Sequence, residues 1–217
     1  FDRLGVNSRP DILLASIISE TKNIRLAPAV NVLPIHHPIH VAEMWATLDL
    51  LSGGRVDYAC GRGYDRAEYV PFGADFMTSA EVFEEGLDVL NKAWTDPGVW
   101  SHHGEHYHID NMEITPKPAQ ELIPIYVGSF SKTSVDLAAR KGFNIAYAPF
   151  AASMVFGGLK EAVDAYRDAT IAEGNTPGKA ICSYFIYIAD TPEEEDLGRQ
   201  YQIDYFQNCV LRAFPDD

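Results

Sequence analysis

The sequence predicts an α/β protein built from parallel βαβ units. Three observations carry that expectation: short apolar runs alternate with amphipathic segments, glycines stand where helical segments should end, and about five strands can be counted. A closed (β/α)8 barrel typically needs about 250 residues and eight strands, whereas a doubly wound sheet is complete with five. Periodicity alone leaves both open. In either, the loops after the strands' C-terminal ends gather on one face and carry function.

The elements follow in order. Ser8-Arg9-Pro10-Asp11 reads as a helix start, with a cap, a proline in the first turn and an early acid, and Ile12, Leu13, Ile17 and Ile18 continue it at helical spacing. Ile24-Arg25-Leu26-Ala27 reads as a short strand, followed by a loop from Asn31 through His36-His37-Pro38. A second helix covers Ile39 to Leu51, with Val41, Met44, Trp45 and Leu48 on one stripe and Gly53 placed to end it. Val56 to Cys60 is a strand that empties into Gly61-Arg62-Gly63-Tyr64. A long loop leads to Thr78-Ser79-Ala80-Glu81, a capping box, and to a helix carrying Phe83, Leu87, Leu90 and Trp94. The stretch 98–117 alternates around Gly104 as a surface hairpin. Strands at Ile123 to Val127, Asn144 to Tyr147 and Ile181 to Ile188 enclose helices ending near Gly142 and Gly174, and Thr191-Pro192 starts a last helix.

Composition narrows the function. A net charge of −14 argues against nucleic acid and against anionic lipid surfaces, since both are bound through lysine and arginine. No apolar run reaches the roughly 20 residues of a membrane span, and Phe1-Asp2-Arg3 opens without a signal-peptide pattern. Cys60, Cys182 and Cys209 lie far apart without a C-x-x-C pair, so neither a disulfide framework nor a zinc knuckle is expected. The expectation is a soluble chain in a reducing cytoplasm, folded as one domain over residues 1–217.

Three segments at strand ends could carry chemistry. In Gly61-Arg62-Gly63-Tyr64, paired glycines let backbone approach a ligand and Arg62 offers a planar cationic fork for phosphate; the alternative is a tight turn with a surface arginine. In Gly128-Ser129-Phe130-Ser131-Lys132-Thr133-Ser134, amides at a helix start join hydroxyls to make an anion seat, although serine there is also an ordinary helix cap. His36 and His37 could serve as acid or base, or simply shape the turn before Pro38. His102, His103, His106 and His108 sit on the hairpin with no obvious carboxylate shell, so no metal is expected. Cys60 reads as core, and Glu193 to Glu195 as complement to a helix dipole.

Taken together, several ordered blocks resemble the bacterial luciferase-like flavin monooxygenases over about Pro10 to Asp190. The most specific run is Ala29 to Pro38, then Ala42-Glu43, then Leu48 to Arg55, ending in Gly61-Arg62-Gly63; Phe72-Gly73-Ala74-Asp75 and Pro124 to Gly128 with its serines follow. The resemblance implies a (β/α)8 TIM barrel and reduced FMN supplied by a separate flavin reductase. It implies that Arg62, Ser131 and Ser134 hold the flavin phosphate, with backbone near Phe130, and that Tyr64 meets the ribityl chain. Ala29 and Asn31 would border the ring, with a non-prolyl cis peptide at Pro28–Ala29, and His37 is the candidate catalytic side chain. The helices Pro10 to Thr21 and Ile39 to Leu51 correspond to dimer-forming helices, so a homodimer is expected, with Met44 or Trp45 exposed on its face. The family begins with a strand, a helix and a second strand that this chain lacks, and ends with a strand beyond it. The barrel is therefore expected to be incomplete at both ends. The luciferase reactive cysteine is Gly61 here and its flavin-bordering aromatic is Pro149, which argues against light emission. The implied activity is oxygenation of a small organic substrate with O2, the long loops at Tyr64 to Met77 and Phe150 to Phe156 forming a substrate lid. The alternatives are an F420 (deazaflavin)-dependent hydride-transfer reductase or dehydrogenase on the same barrel, or a flavin-binding relative without catalysis.

Overall fold

A computed structural model describes residues 7–211. Phe1-Asp2-Arg3 and the side chain of Cys209 lie outside the described residues. Five parallel strands form one sheet: β1 (Asn31–Val32), β2 (Tyr58–Gly61), β5 (Ile125–Ser129), β6 (Asn144–Tyr147) and β7 (Ala180–Cys182), ordered β1-β2-β5-β6-β7. The strand count agrees with the sequence reading, but the first strand is displaced. Ile24 to Ala27 contributes only an isolated bridge, Leu26 to Val56, and β1 forms later in what reads as loop. The last strand is also shorter than its pattern. Beyond β7 the Ser183 amide still donates to the Tyr147 carbonyl at 3.2 Å, but residues 184–188 belong to no strand among the described residues, and their apolar side chains are exposed.

Helices cover one side of this sheet. They are α1 (Pro10–Glu20), α2 (Pro38–Ser52), the short α3 (Arg66–Tyr69), α4 (Ser79–Thr95), α5 (Lys132–Lys141), α6 (Pro149–Phe156), α7 (Leu159–Ala172) and α8 (Pro192–Tyr205), which runs into a π-helical turn at Phe206–Val210. A parallel sheet with helices on it is the α/β architecture expected, here as part of a barrel. Gly53 ends α2 in the left-handed region at φ 68°, where a side chain would be strained. Gly142 does the same for α5. Thr191 and Glu194 make the capping box of α8, whereas Thr78 makes no side-chain cap on α4 and α1 starts after Arg9, not Ser8. The proposed lid at Phe150 to Phe156 is helix α6, because Pro149 suits a first helical turn and Gly157 terminates it.

The core lies between sheet and helices. Trp45, wholly buried, packs 5.5 Å from the Tyr58 ring, and Trp94 meets the other side of Tyr58 at 5.6 Å. Trp45 therefore does not mark an exposed dimer face, and Met44 is only partly buried. The predicted hairpin pairs β3 (Trp100–His103) with β4 (His108–Met112). Glu85 of α4 clips its tip, accepting from the amides of Glu105, His106 and Tyr107 and from His102 Nε2 at 2.9 to 3.1 Å. Among the described residues, no helix is long and apolar enough to cross a membrane, and no three His, Cys, Asp or Glu side chains are grouped to hold a metal.

Candidate cofactor site

The C-terminal tips of β2 and β5 stand side by side because Cys60 pairs with Val127 in the parallel register. β2 leads into the loop carrying Arg62 and Tyr64, and β5 into the serine loop before α5. The Tyr64 and Phe130 rings bring these loops together, 5.2 Å between centroids.

The serine loop forms a dense hydroxyl cluster. Ser131 caps α5, its Oγ accepting from the Ser134 amide, while Ser134 Oγ accepts in return from the Ser131 amide at 3.3 Å. Ser131 Oγ also lies 2.8 Å from Thr133 Oγ1, and Ser134 Oγ 3.0 Å from Ser129 Oγ. With Ser131 and Ser134 serving each other, the Lys132 and Thr133 amides of the first turn have no intrahelical acceptor and form the positive end of the helix dipole. Such a group of donors fits an anion. Thr133, which lies in the segment singled out from the sequence but is not among the residues the resemblance assigns to the phosphate, belongs to it.

Arg62 is exposed. Its guanidinium reaches Ser79 Oγ at 3.4 Å and lies over the Phe76 ring, 5.2 Å from its centroid, and it makes no hydrogen bond to Ser131 or Ser134. The Tyr69 hydroxyl donates to the Arg62 carbonyl and ties down the loop.

The glycines of this region have a different cause from the one their sequence suggests. A Cβ on Gly61 or on Gly128 would lie 3.2 Å from a Val30 methyl, and one on Gly63, at φ 79°, would lie 2.9 Å from Val32. They accommodate two valines of the β1 segment. Val30 consequently sits in a notch above the tips of β2 and β5, 39% exposed, a residue the sequence reading passes over.

The remaining predicted residues are placed as follows. Ala29 is exposed beside Val30, and the non-prolyl cis bond is Ala29–Val30, one residue after the expected Pro28–Ala29. Asn31 pairs with Cys60 and turns its side chain toward the helices, where its Oδ1 accepts from the buried Tyr58 hydroxyl at 2.8 Å. Only its backbone is left for the mouth. His37 caps α2, its Nδ1 accepting from the Ile39 amide at 3.3 Å, and its ring meets the Tyr107 edge at 5.7 Å. Burial, with a smaller effect of His40, holds its imidazole below the ordinary value. His36 is lowered by burial as well and packs 6.1 Å from Phe72. Cys60 is wholly buried and burial pushes its thiol up, which suits core packing and not a nucleophile.

Comparison with known proteins places this arrangement. The chain is 26% identical, over 96% of its length, to the oxygenase component of a flavin-dependent trigonelline monooxygenase from Acinetobacter baylyi. It superposes on the monooxygenase RslO1 from Streptomyces bottropensis with a TM-score of 0.83 at 25% identity, covering 94% of this chain. An F420-dependent secondary alcohol dehydrogenase shares the fold, with a TM-score of 0.70 at 18% identity over 84% of this chain and 55% of its own. The chain spans 58% of the trigonelline monooxygenase component and 63% of RslO1. The α/β fold is thus shared with these proteins, and a profile of the luciferase-like monooxygenases matches residues 2–208: the chain belongs to that family.

Proposed function

We propose that this chain is the oxygenase part of a two-component monooxygenase, taking reduced FMN from a separate reductase and oxygenating a small organic substrate. The observation that carries the reading is the donor cluster of Ser131, Thr133, Ser134 and the first amides of α5, beside the arginine-bearing tip of β2. A phosphate dianion fits such a seat because dipole, hydroxyls and guanidinium all offer positive charge or hydrogen. When bound, reduced flavin supplies the electrons with which O2 gives one oxygen atom to the substrate and the other to water.

The chain's own residues bind and orient. Arg62, engaged by one hydroxyl and one ring face, swings to the phosphate without breaking an ion pair. Val30 offers an apolar floor, with Ala29 and the Asn31 backbone beside it, and the Tyr64–Phe130 contact shields the seat from water. His37 keeps only Nε2 for proton chemistry, its Nδ1 being spent on the helix cap. The apolar side chains Ile12, Leu13, Leu50 and Leu51, exposed on α1 and α2, support a homodimer.

The test is a titration with FMN and with riboflavin, which lacks the phosphate. FMN is expected to bind at least about tenfold more tightly, the contribution of a charge-assisted contact. Equal affinity for both would remove the phosphate seat and the reading with it.

A further inference from the structure

The strand tips also carry a row of aromatic rings that a phosphate seat does not require. Tyr64 follows β2, Phe130 follows β5, Phe150 stands in the first turn of α6 after β6, and Phe185 follows β7. These are four successive strands of the sheet, each contributing one ring at its C-terminal end. The rings touch in that order. Tyr64 and Phe130 are 5.2 Å apart, Phe130 and Phe150 5.7 Å, and Phe206 closes the gap to the last, 5.2 Å from Phe150 and 5.5 Å from Phe185. The contacts from Phe130 to Phe185 are all edge to face, with interplanar angles of 68°, 84° and 81°.

Three features mark this row as a ligand surface. The rings are only partly buried, and Phe185 is 52% exposed, so among the described residues they form one contiguous aromatic surface where scattered apolar residues would be ordinary. Phe206 opens a π-helical turn, a rare irregularity concentrated at functional sites. The row is continuous with the candidate cofactor site, since Phe130 stands between Ser129 and Ser131. Edge-to-face packing holds each ring at a set angle, and the pattern of faces and edges suits a flat π-system better than a flexible alkyl chain.

We propose that this row binds the ring system of an aromatic substrate, with Phe206 as its specificity-determining residue. The inference rests on the flavin-dependent reading above. The row leads from β2 toward β7, away from Val30 and β1, and so offers surface beyond the floor assigned to the flavin ring.

Equilibrium dialysis of the full chain with 2-naphthol and with decanal, beside a separate FMN titration, tests it. Phe206→Leu is expected to weaken 2-naphthol binding about tenfold while leaving decanal and FMN within about twofold. Phe185→Ser, at an exposed position that cannot disturb the core, is expected to act in the same direction and carries the test should Phe206→Leu not fold. A parallel loss of FMN affinity would reassign the row to the cofactor ring. Unchanged 2-naphthol binding in the folded variants would leave the rings as packing alone. Failure of the unsubstituted chain to bind FMN would instead overturn the flavin reading, and the 2-naphthol comparison would still report on the row.

Discussion

Arginine does opposite work at the two ends of the parallel sheet. Where the strands begin, Arg25 takes both oxygens of Asp57 at 2.8 Å and donates to the carbonyl of Val56 and to Gln120. Arg55 nearby gathers the carbonyls of Ile18, Ile24 and Ser52 and the Thr21 hydroxyl, fastening α1 to the end of α2. Wholly buried Asp49 accepts from the Val56 and Gln120 amides and from the Gln120 side chain. Where the strands end, Arg62 is exposed and meets one hydroxyl and one ring. The same planar cation is cement when acceptors surround it and, on the function proposed above, a handle for a ligand when they are few. This follows the division of barrel sheets into a stability face and an activity face.

The largest expected effect lies at the stability end. Asp49→Ala strands buried donors of Val56 and Gln120 and should lower unfolding stability by about 3 kcal/mol in urea, while the folded fraction keeps its FMN affinity. A loss below about 1 kcal/mol would break the comparison. At the other end the effect should fall on binding. Arg62→Ala is expected to weaken FMN by about 10- to 100-fold with riboflavin binding and melting temperature unchanged, and Arg62→Lys to recover only part, because ammonium cannot engage an anion through a planar fork. Destabilisation by Arg62→Ala would make that arginine structural too.

Ser131→Ala sharpens the contrast, because Ser131 caps α5 and, on the function proposed above, also holds the phosphate. Loss of the cap should cost about 1 kcal/mol, and FMN binding should weaken severalfold in the same variant. The smallest effect concerns the hairpin clip. Burial opposes ionisation of Glu85, but the bonds from His106, His102 and Tyr107 outweigh it and hold its carboxyl below the ordinary value. Its contribution is thus complete above the usual carboxylate range and lost as pH falls through the depressed value. Hydrogen exchange at the Glu105 to Tyr107 amides should accelerate on acidification, and Glu85→Gln should flatten that dependence.

Much of the scaffold was legible because helix stops and caps are local. Gly53, Gly142 and the helix start at Thr191-Pro192 work through a few neighbouring residues. The helix start at Ser131 was legible for the same reason. The glycines were misread because their cause is distant in sequence: Gly61 and Gly63 make room for Val30 and Val32, about thirty positions earlier. The direction of the Asn31 side chain was not legible, because the side of a two-residue strand is set by its partner; pairing with Cys60 turned it toward Tyr58. Ile24 to Ala27 has a strand's composition but makes only one bridge, since a strand also needs a neighbour in register.

Sequence by itself determined the alternation of helix and strand, the stops of α2 and α5 and the side chains offered at each strand tip, all written in contacts between near neighbours. Only the tertiary structure decided which tips meet, which arginine is spent on packing and which side chains turn toward the helices. Those outcomes depend on register and on residues far apart in the chain, where no local pattern carries the information.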